Sequence, residues 1–411
     1  MILTSEKLIS NWPPGHIIQN GAVALSKGII LAVGPVDKII KRFPGHAVHP
    51  LKNAVLLPGL INVHVHLELP PLLETVRGAS FVDWIINLIL AKKALGGNDY
   101  QSAVLTNIET LIRTGTTTVG EICTHDISPA LLKQNGLRAL VFHEIIEMRP
   151  RVKVKGQGSW RPAAPHSSSS LVKFGVTPHT PYTVSEPLLR AINQFSKKKG
   201  IRLSMHVAES KDELALLQRR KSGLDRVYDL AGWDLAWAPS GISSFEYLKR
   251  IGLLSPRLLA VHAVQTTVED IALIKISKTS IAHCPRSNKK LRVGKLPLKK
   301  LLDAGITVGL GTDSLASSPS LSMWDEMRFA YKIHKQDAIS ALDIFKMATI
   351  NGAKALGLEK DVGYIEPGKK ADIIAVPMPL RNTGNLYCDL LRETKSCIMM
   401  MVNGKFLFRA L

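Results

Sequence analysis

Eight short apolar runs recur through the middle of the chain: Ala54–Val65, Thr117–Ile122, Leu137–Glu144, Leu171–Thr177, Ile201–Val207, Leu258–His262, Ser280–His283 and Ile306–Gly309. Helical patterns lie between most of them and one follows the last, as in Glu186–Lys199, Lys211–Arg220 and Leu321–His334. Buried strands alternating with amphipathic helices predict an α/β fold, a (β/α)8 TIM barrel with a parallel sheet. The two chain ends read differently. Gly21–Pro35 (GAVALSKGIILAVGP) is two apolar runs split by a Ser-Lys-Gly turn, a hairpin pattern. Ala371–Pro379 and Ser396–Phe408 are also strand-like, and Asn403-Gly404 is a hairpin turn. Arg149–Ser170, with its four consecutive serines, reads as a loop, and Gly223–Gly252 as a longer insertion.

Composition narrows the class. With 411 residues, 45% hydrophobic and 21% charged, the chain is a globular protein and not a disordered one. The most apolar run, Trp84–Ala91, is too short to cross a bilayer, so no membrane partner is expected. The N-terminal MILTSEKLIS lacks a basic region followed by an apolar core, so no secretory signal is read there. Four cysteines without a C-x-x-C pair fit a reducing cytoplasm, the expected location. Lysine and arginine outnumber aspartate and glutamate by 53 to 33, a net charge of +20. The lysines are scattered in short clusters with no nucleic-acid motif beside them. A solvated basic surface is the reading, with no nucleic-acid partner and a mild preference for anionic ligands.

In a parallel barrel the C-terminal strand ends form one mouth, where chemistry gathers. His64 and His66 end the first run, His206 the fifth, His262 the sixth and His283 the seventh, and Asp313 follows the eighth. Side chains two apart on a strand share a face, so His64 and His66 can reach one metal. Taken alone, an H-x-H pair is usually incidental, and Asp313 before Ser314 reads equally as a turn cap. Their coincidence at the strand ends of one barrel points to a catalytic metal in a site of three imidazoles and one carboxylate. Glu209, three residues after His206, can face the same cavity and move protons. It also stands just before a helix, where a carboxylate is favoured for other reasons.

These segments resemble the amidohydrolase superfamily, in its cytosine/adenosine/guanine deaminase and chlorohydrolase branch. The resemblance is carried by LLPGLINVHVHLE (56–68), RTGTTTVGE (113–121), GVTPHTPYTVS (175–185), HVAES (206–210), VHA (261–263), HCPRSN (283–288), GLGTDSLASSPSLSMWDEMR (309–328) and IEPGKKADI (365–373). It implies a distorted (β/α)8 barrel at residues 57–360 and a small β-sandwich built from residues 1–56 and 361–411. It implies one divalent metal, zinc with iron or manganese as options, held by His64, His66, His206 and Asp313. Dinuclear members carry a bridging lysine at the end of the fourth strand, and Lys173 lies too early in that strand to serve. Glu209, His262 and Asp313 would be catalytic. His179, Ser287 and Asn288, within matching segments, would bind substrate. Relatives often form dimers, so a homodimer is the assembly in view.

Within that branch the substrate is a small nucleoside-like molecule. SFVDWI (80–85) is similar to the segment of adenosine-type deaminases that places a tryptophan, here Trp84, beside the substrate. Helix packing is the other reading of Trp84. Members acting on S-adenosylhomocysteine and methylthioadenosine carry a ribose-binding glutamate about nine residues later, where this chain has Lys93. Glu68 and Glu74 are the nearby acids able to take that part. The segments around Glu68, Trp84, Glu144 and Asp313 most resemble aminodeoxyfutalosine deaminases of a menaquinone pathway. That substrate's carboxybenzoyl group needs a cation, and Arg149, Arg151 and Arg161 are the arginines in the neighbouring loop. The expected activity is hydrolytic deamination of a 6-aminopurine nucleoside. The alternatives are deamination or dechlorination of guanine, a pterin or a triazine, or a binding protein without catalysis.

Overall fold

The computed structural model describes residues 1–10, 15–148, 171–237 and 241–410. Arg149, Arg151 and Arg161, the expected substrate cations, lie outside the described residues.

Eight parallel strands form the central sheet: β5 Leu60–Val65, β6 Thr116–Cys123, β7 Arg138–Ile145, β8 Val172–Pro178, β9 Leu203–Val207, β10 Leu258–His262, β11 Ser280–His283 and β12 Val308–Leu310. Their order in space is their order in sequence, with helices among the described residues in every connection except that from β7 to β8, as right-handed βα crossovers require. The barrel closes between β12 and β5 with little backbone pairing, a single bridge between Val65 and Asp313. Asn62 mends the gap. Its Nδ2 donates to Thr312 Oγ1 at 2.7 Å, and its Oδ1 accepts from the Thr312 and His64 amides at 3.1 and 3.3 Å. A second distortion lies between β8 and β9, which share one register pair, Val176 with Leu203.

The chain ends build a separate sheet. Its strands are β1 Ile2–Ile9, β2 Ile17–Ser26, β3 Ile29–Pro35, β4 Val48–Pro58, β13 Ile373–Pro377, β14 Met399–Val402 and β15 Lys405–Arg409. They form one seven-stranded sheet in the order β15-β14-β13-β4-β1-β2-β3. The sheet curls until the β2–β3 turn meets the β14–β15 turn. A Cβ on Gly28, at φ +79°, would lie 2.6 Å from the Asn403 carbonyl oxygen, so only glycine fits there.

One expectation is corrected. Ala54–Val65 is not a single strand. Its first part belongs to β4 in the terminal sheet and its second is β5 of the barrel, with Gly59 between. A Cβ at residue 59 would lie 2.1 Å from Thr117 Oγ1, so the chain passes from one sheet to the other where no side chain fits. The insertion at 223–252 folds as helices Asp225–Ala231 and Ser244–Arg250. The first packs Leu224, Val227 and Tyr228 against Phe81, Tyr182 and Leu291 above the barrel mouth. No helix among the described residues is long and apolar enough to cross a membrane.

Candidate metal centre and active site

His64, His66, His206 and Asp313 converge at the C-terminal mouth, with one ligand atom from each within 4.8 Å of all the others. Asp313 Oδ1 lies 3.5 Å from Nε2 of both His64 and His66. Its other oxygen, Oδ2, accepts hydrogen bonds from Ser287 Oγ at 2.6 Å and Ser317 Oγ at 2.7 Å. One carboxylate oxygen is thus tied to hydroxyls and the other faces the imidazoles. His206 Nδ1 donates to the His179 carbonyl at 3.0 Å, which leaves Nε2 as the free lone pair. Both ring nitrogens of His64 are buried without a hydrogen-bond partner. An orphaned buried imidazole is costly unless something binds it.

Electrostatics agree with this geometry. Burial holds His64 down to about 4 and His66 down to about 3, with neighbouring imidazoles helping. Burial works to raise Asp313, but the imidazoles around it outweigh that and hold it well below the usual carboxylate range. Neutral imidazoles beside an ionised carboxylate are the protonation state a divalent cation needs. The residues present therefore fit a single metal ion. Lys173 sits at the opposite end of β8 and pairs with Asp361 at 3.4 Å, so no lysine from that strand reaches the mouth.

Glu209 and His262 border the same point. His262 Nε2 is 3.4 Å from Glu209 Oε1. Asn288 Oδ1 accepts from His262 Nδ1 at 2.8 Å and so fixes the ring's tautomer. Burial, with the nearby charges of Asp313 and Glu213, pushes the Glu209 carboxyl up to about 8, against the opposing pull of His206. The loop that presents Glu209 is built by Glu213, whose carboxylate accepts from the Ala208 and Glu209 amides at 2.7 and 2.9 Å. Ala208, His262 and Asp313 all have φ between +50° and +75°. Strained backbone gathers at this mouth, as it does where function fixes the chain against local preference.

A cavity of about 220 Å3 opens over these groups. His66, His179, His206, Glu209, His262 and Asp313 face it from the barrel. The opposite wall is one face of helix Phe81–Lys92, including Trp84, Leu88 and Lys92. Ser80 starts this helix with a reciprocal cap: its Oγ accepts from the Asp83 amide, and Asp83 Oδ2 accepts from the Ser80 amide. Trp84 Nε1 is buried with no hydrogen-bond partner. His179 Nδ1 is 2.9 Å from Thr183 Oγ1.

Three expected substrate contacts do not line the cavity. Glu68 is buried and turned into a loop, where its carboxylate accepts from the amides of Thr124, His125, Ile127 and Ser128. Ser287 and Asn288 are buried too, and bind Asp313 and His262 instead. Sequence reading missed two charged groups on the wall, Lys92 and Glu144. Glu144 was legible as a strand-end acid. Lys92 was masked by its neighbour Lys93, which points to solvent.

The profile of the amidohydrolase family matches residues 55–407. The 5-methylthioadenosine/S-adenosylhomocysteine deaminase of Pelotomaculum thermopropionicum is 31% identical over 385 residues, covering 88% of this chain and 81% of that protein. The 5'-deoxyadenosine deaminase of Methanothermobacter thermautotrophicus is 32% identical over 332 residues, covering 78% and 73%. A zinc-bound adenosine deaminase structure from Xanthomonas campestris superposes with a TM-score of 0.83 at 26% identity, covering 100% of this chain and 93% of that one. The aminofutalosine deaminase of Helicobacter pylori shares the fold, with a TM-score of 0.83 at 24% identity over 98% and 99% of the two chains. The chain belongs to the amidohydrolase family, and its fold is that family's barrel with an added terminal sheet.

Proposed function

We propose that this protein is a divalent-metal-dependent hydrolytic deaminase of 6-aminopurine nucleosides, acting on a 5'-modified adenosine, with aminodeoxyfutalosine as the leading candidate and zinc as the metal. The observation that carries the reading is Glu209, a buried carboxyl pushed up to about 8 and placed between the His64/His66/His206/Asp313 cluster and an apolar cavity. The deaminase names of relatives above 30% identity support the substrate class.

A cation held by His64, His66, His206 and Asp313 would supply Lewis acidity and a nucleophilic oxygen at neutral pH. The chain's own groups supply the rest. Glu209 Oε1, protonated near neutral pH, gives its proton to the ring nitrogen beside the reacting carbon. Water adds at that carbon, and Glu209 takes a proton from it and returns it to the amino group. The C–N bond then breaks, ammonia leaves, the hydroxyl's remaining proton returns to Glu209, and the ring retains a 6-oxo group with its new N–H. His262, with Nδ1 committed to Asn288, keeps Nε2 as an acceptor for the water. Trp84, Leu88 and Phe81 exclude bulk water, and Trp84 Nε1 offers a donor with no protein partner.

An ultraviolet assay of the zinc-loaded protein against adenosine, deoxyadenosine, methylthioadenosine, S-adenosylhomocysteine, aminodeoxyfutalosine and guanine tests this. Conversion of a 6-aminopurine to its 6-oxo product is expected. Turnover of guanine alone would overturn it. Glu209→Gln should lower kcat about 100- to 10,000-fold with metal content unchanged. An undiminished rate in that variant removes Glu209 from the mechanism.

A further inference from the structure

We infer that Lys92 is a specificity residue, recognising a carboxylate carried on the 5' extension of the substrate. The inference rests on the nucleoside-deaminase reading above and extends it to the part of the substrate away from the reacting carbon.

Trp84, Leu88 and Lys92 stand four residues apart on one helix face, and all three line the cavity. With Ile85 and Ile89, also on the wall, that face is otherwise apolar. Lys92 is half-buried there and its ammonium has no hydrogen bond or ion pair among the described residues. Every other charged or titratable group facing the cavity is an imidazole, a carboxyl or a phenol: His66, His179, His206, His262, then Glu144, Glu209 and Asp313, and Tyr182. Glu144 Oε2 already accepts from Thr124 Oγ1 at 2.8 Å. Lys92 lies on the His179 side, where its charge helps burial and His206 hold that imidazole neutral.

An ammonium partly withdrawn from water beside aliphatic side chains gains from an anion and loses nothing of its own structure by accepting one. Helical rise places its Cα about 12 Å along the axis from that of Trp84, roughly the reach from a purine ring to a group beyond the ribose. The apolar neighbours favour an aryl or alkyl carboxylate over an amino-acid head, whose own ammonium would face Lys92 across the same space.

The test compares wild type, Lys92→Met and Lys92→Arg, all zinc-loaded. The quantity read is the ratio of kcat/KM for a carboxylate-bearing substrate to that for neutral methylthioadenosine. Aminodeoxyfutalosine and S-adenosylhomocysteine serve as the two carboxylate sources. Loss of a charged hydrogen bond should lower the ratio roughly tenfold or more in Lys92→Met, with Lys92→Arg recovering most of it. The larger fall is expected for the benzoyl carboxylate. A larger fall for S-adenosylhomocysteine keeps Lys92 as the anion contact and assigns it to an amino-acid carboxylate. An unchanged ratio while nucleosides are still deaminated overturns the inference and leaves the deaminase reading intact. If no nucleoside is deaminated, that reading fails, and calorimetric binding of benzoate decides the inference separately. Weaker binding by Lys92→Met than by wild type supports it, and equal binding overturns it.

Discussion

Ser287 and Ser317 bind one oxygen of Asp313, and Asn288 binds one nitrogen of His262. These residues aim the site without touching its cavity. Ser287→Ala should lower metal affinity about 10- to 100-fold, the usual cost of removing a group that orients a ligand. Competition with a chelator measures this, and unaltered affinity would show that Ser317 alone holds Asp313. The residues whose chemistry is tied to a strand end were legible in the sequence: His64, His66, His206, His262 and Asp313 all stand where a parallel barrel gathers side chains. Glu68, Ser287 and Asn288 lie near the mouth but turn away from the cavity, because a motif gives proximity but not the direction a side chain takes. For Lys92 against Lys93 the difference is one residue, a turn of about 100° around the helix, which sends one into the cavity and the other to solvent.

At the scale of elements, barrel closure is one of two weak backbone seams, and it borders the chemistry. Asn62 spans it with two hydrogen bonds to Thr312 and braces the His64 amide on its own strand, and β5 carries His64 and leads into His66. Asn62→Ala would leave the buried Thr312 and His64 amides without that acceptor. A loss of about 1–3 kcal/mol in unfolding free energy is expected, with lower activity as His64 and Asp313 separate. Denaturant titration and the deaminase assay read the two effects, and a change in neither would show that the bridge at Val65 and Asp313 suffices. The eight strand positions were readable because each run is short, apolar and bounded by turn residues or helix. The break at Gly59 was not, because Pro58 and Gly59 interrupt a continuous apolar run whose two halves differ only in the sheet they join.

Across the whole molecule, the two sheets are locked together by a buried bidentate pair. Arg138, at the start of β7, donates to Asp372 through Nε at 2.7 Å and Nη2 at 2.9 Å, and Asp372 immediately precedes β13. Arg138→Met strands that carboxylate and should cost about 3–5 kcal/mol, while Arg138→Met with Asp372→Leu should recover much of the loss. Equilibrium unfolding of the two variants checks this, and equal losses would mean that packing rather than charge sets the cost. A second whole-molecule property is pH dependence. Burial, with the nearby charges of Asp313 and Asp325, pushes Glu326 up to about 8 from an ordinary 4.5, although Arg286 pulls the other way. Between those values the folded chain holds a proton the unfolded chain has lost, so stability falls as pH rises towards 8. Melting temperatures at pH 7.5 and 8.5, a window where unfolded histidines are mostly neutral, should drop in wild type and drop less in Glu326→Gln. Equal slopes would show that Glu326 stays ionised.

The sequence by itself determined the barrel, the β-rich ends and the gathering of His64, His66, His206 and Asp313 at one mouth, because periodicity and strand-end position are local properties of the chain. Tertiary structure decided which polar residues meet the cavity and which only brace it. Helix Phe81–Lys92 and helix Asp225–Ala231 close over the mouth from segments far apart in sequence. The upward push on the Glu209 carboxyl and the place of Lys92 on the cavity wall depend on that packing. Burial and neighbouring charge are properties of the space around a residue, and the residue's own place in the chain does not contain them.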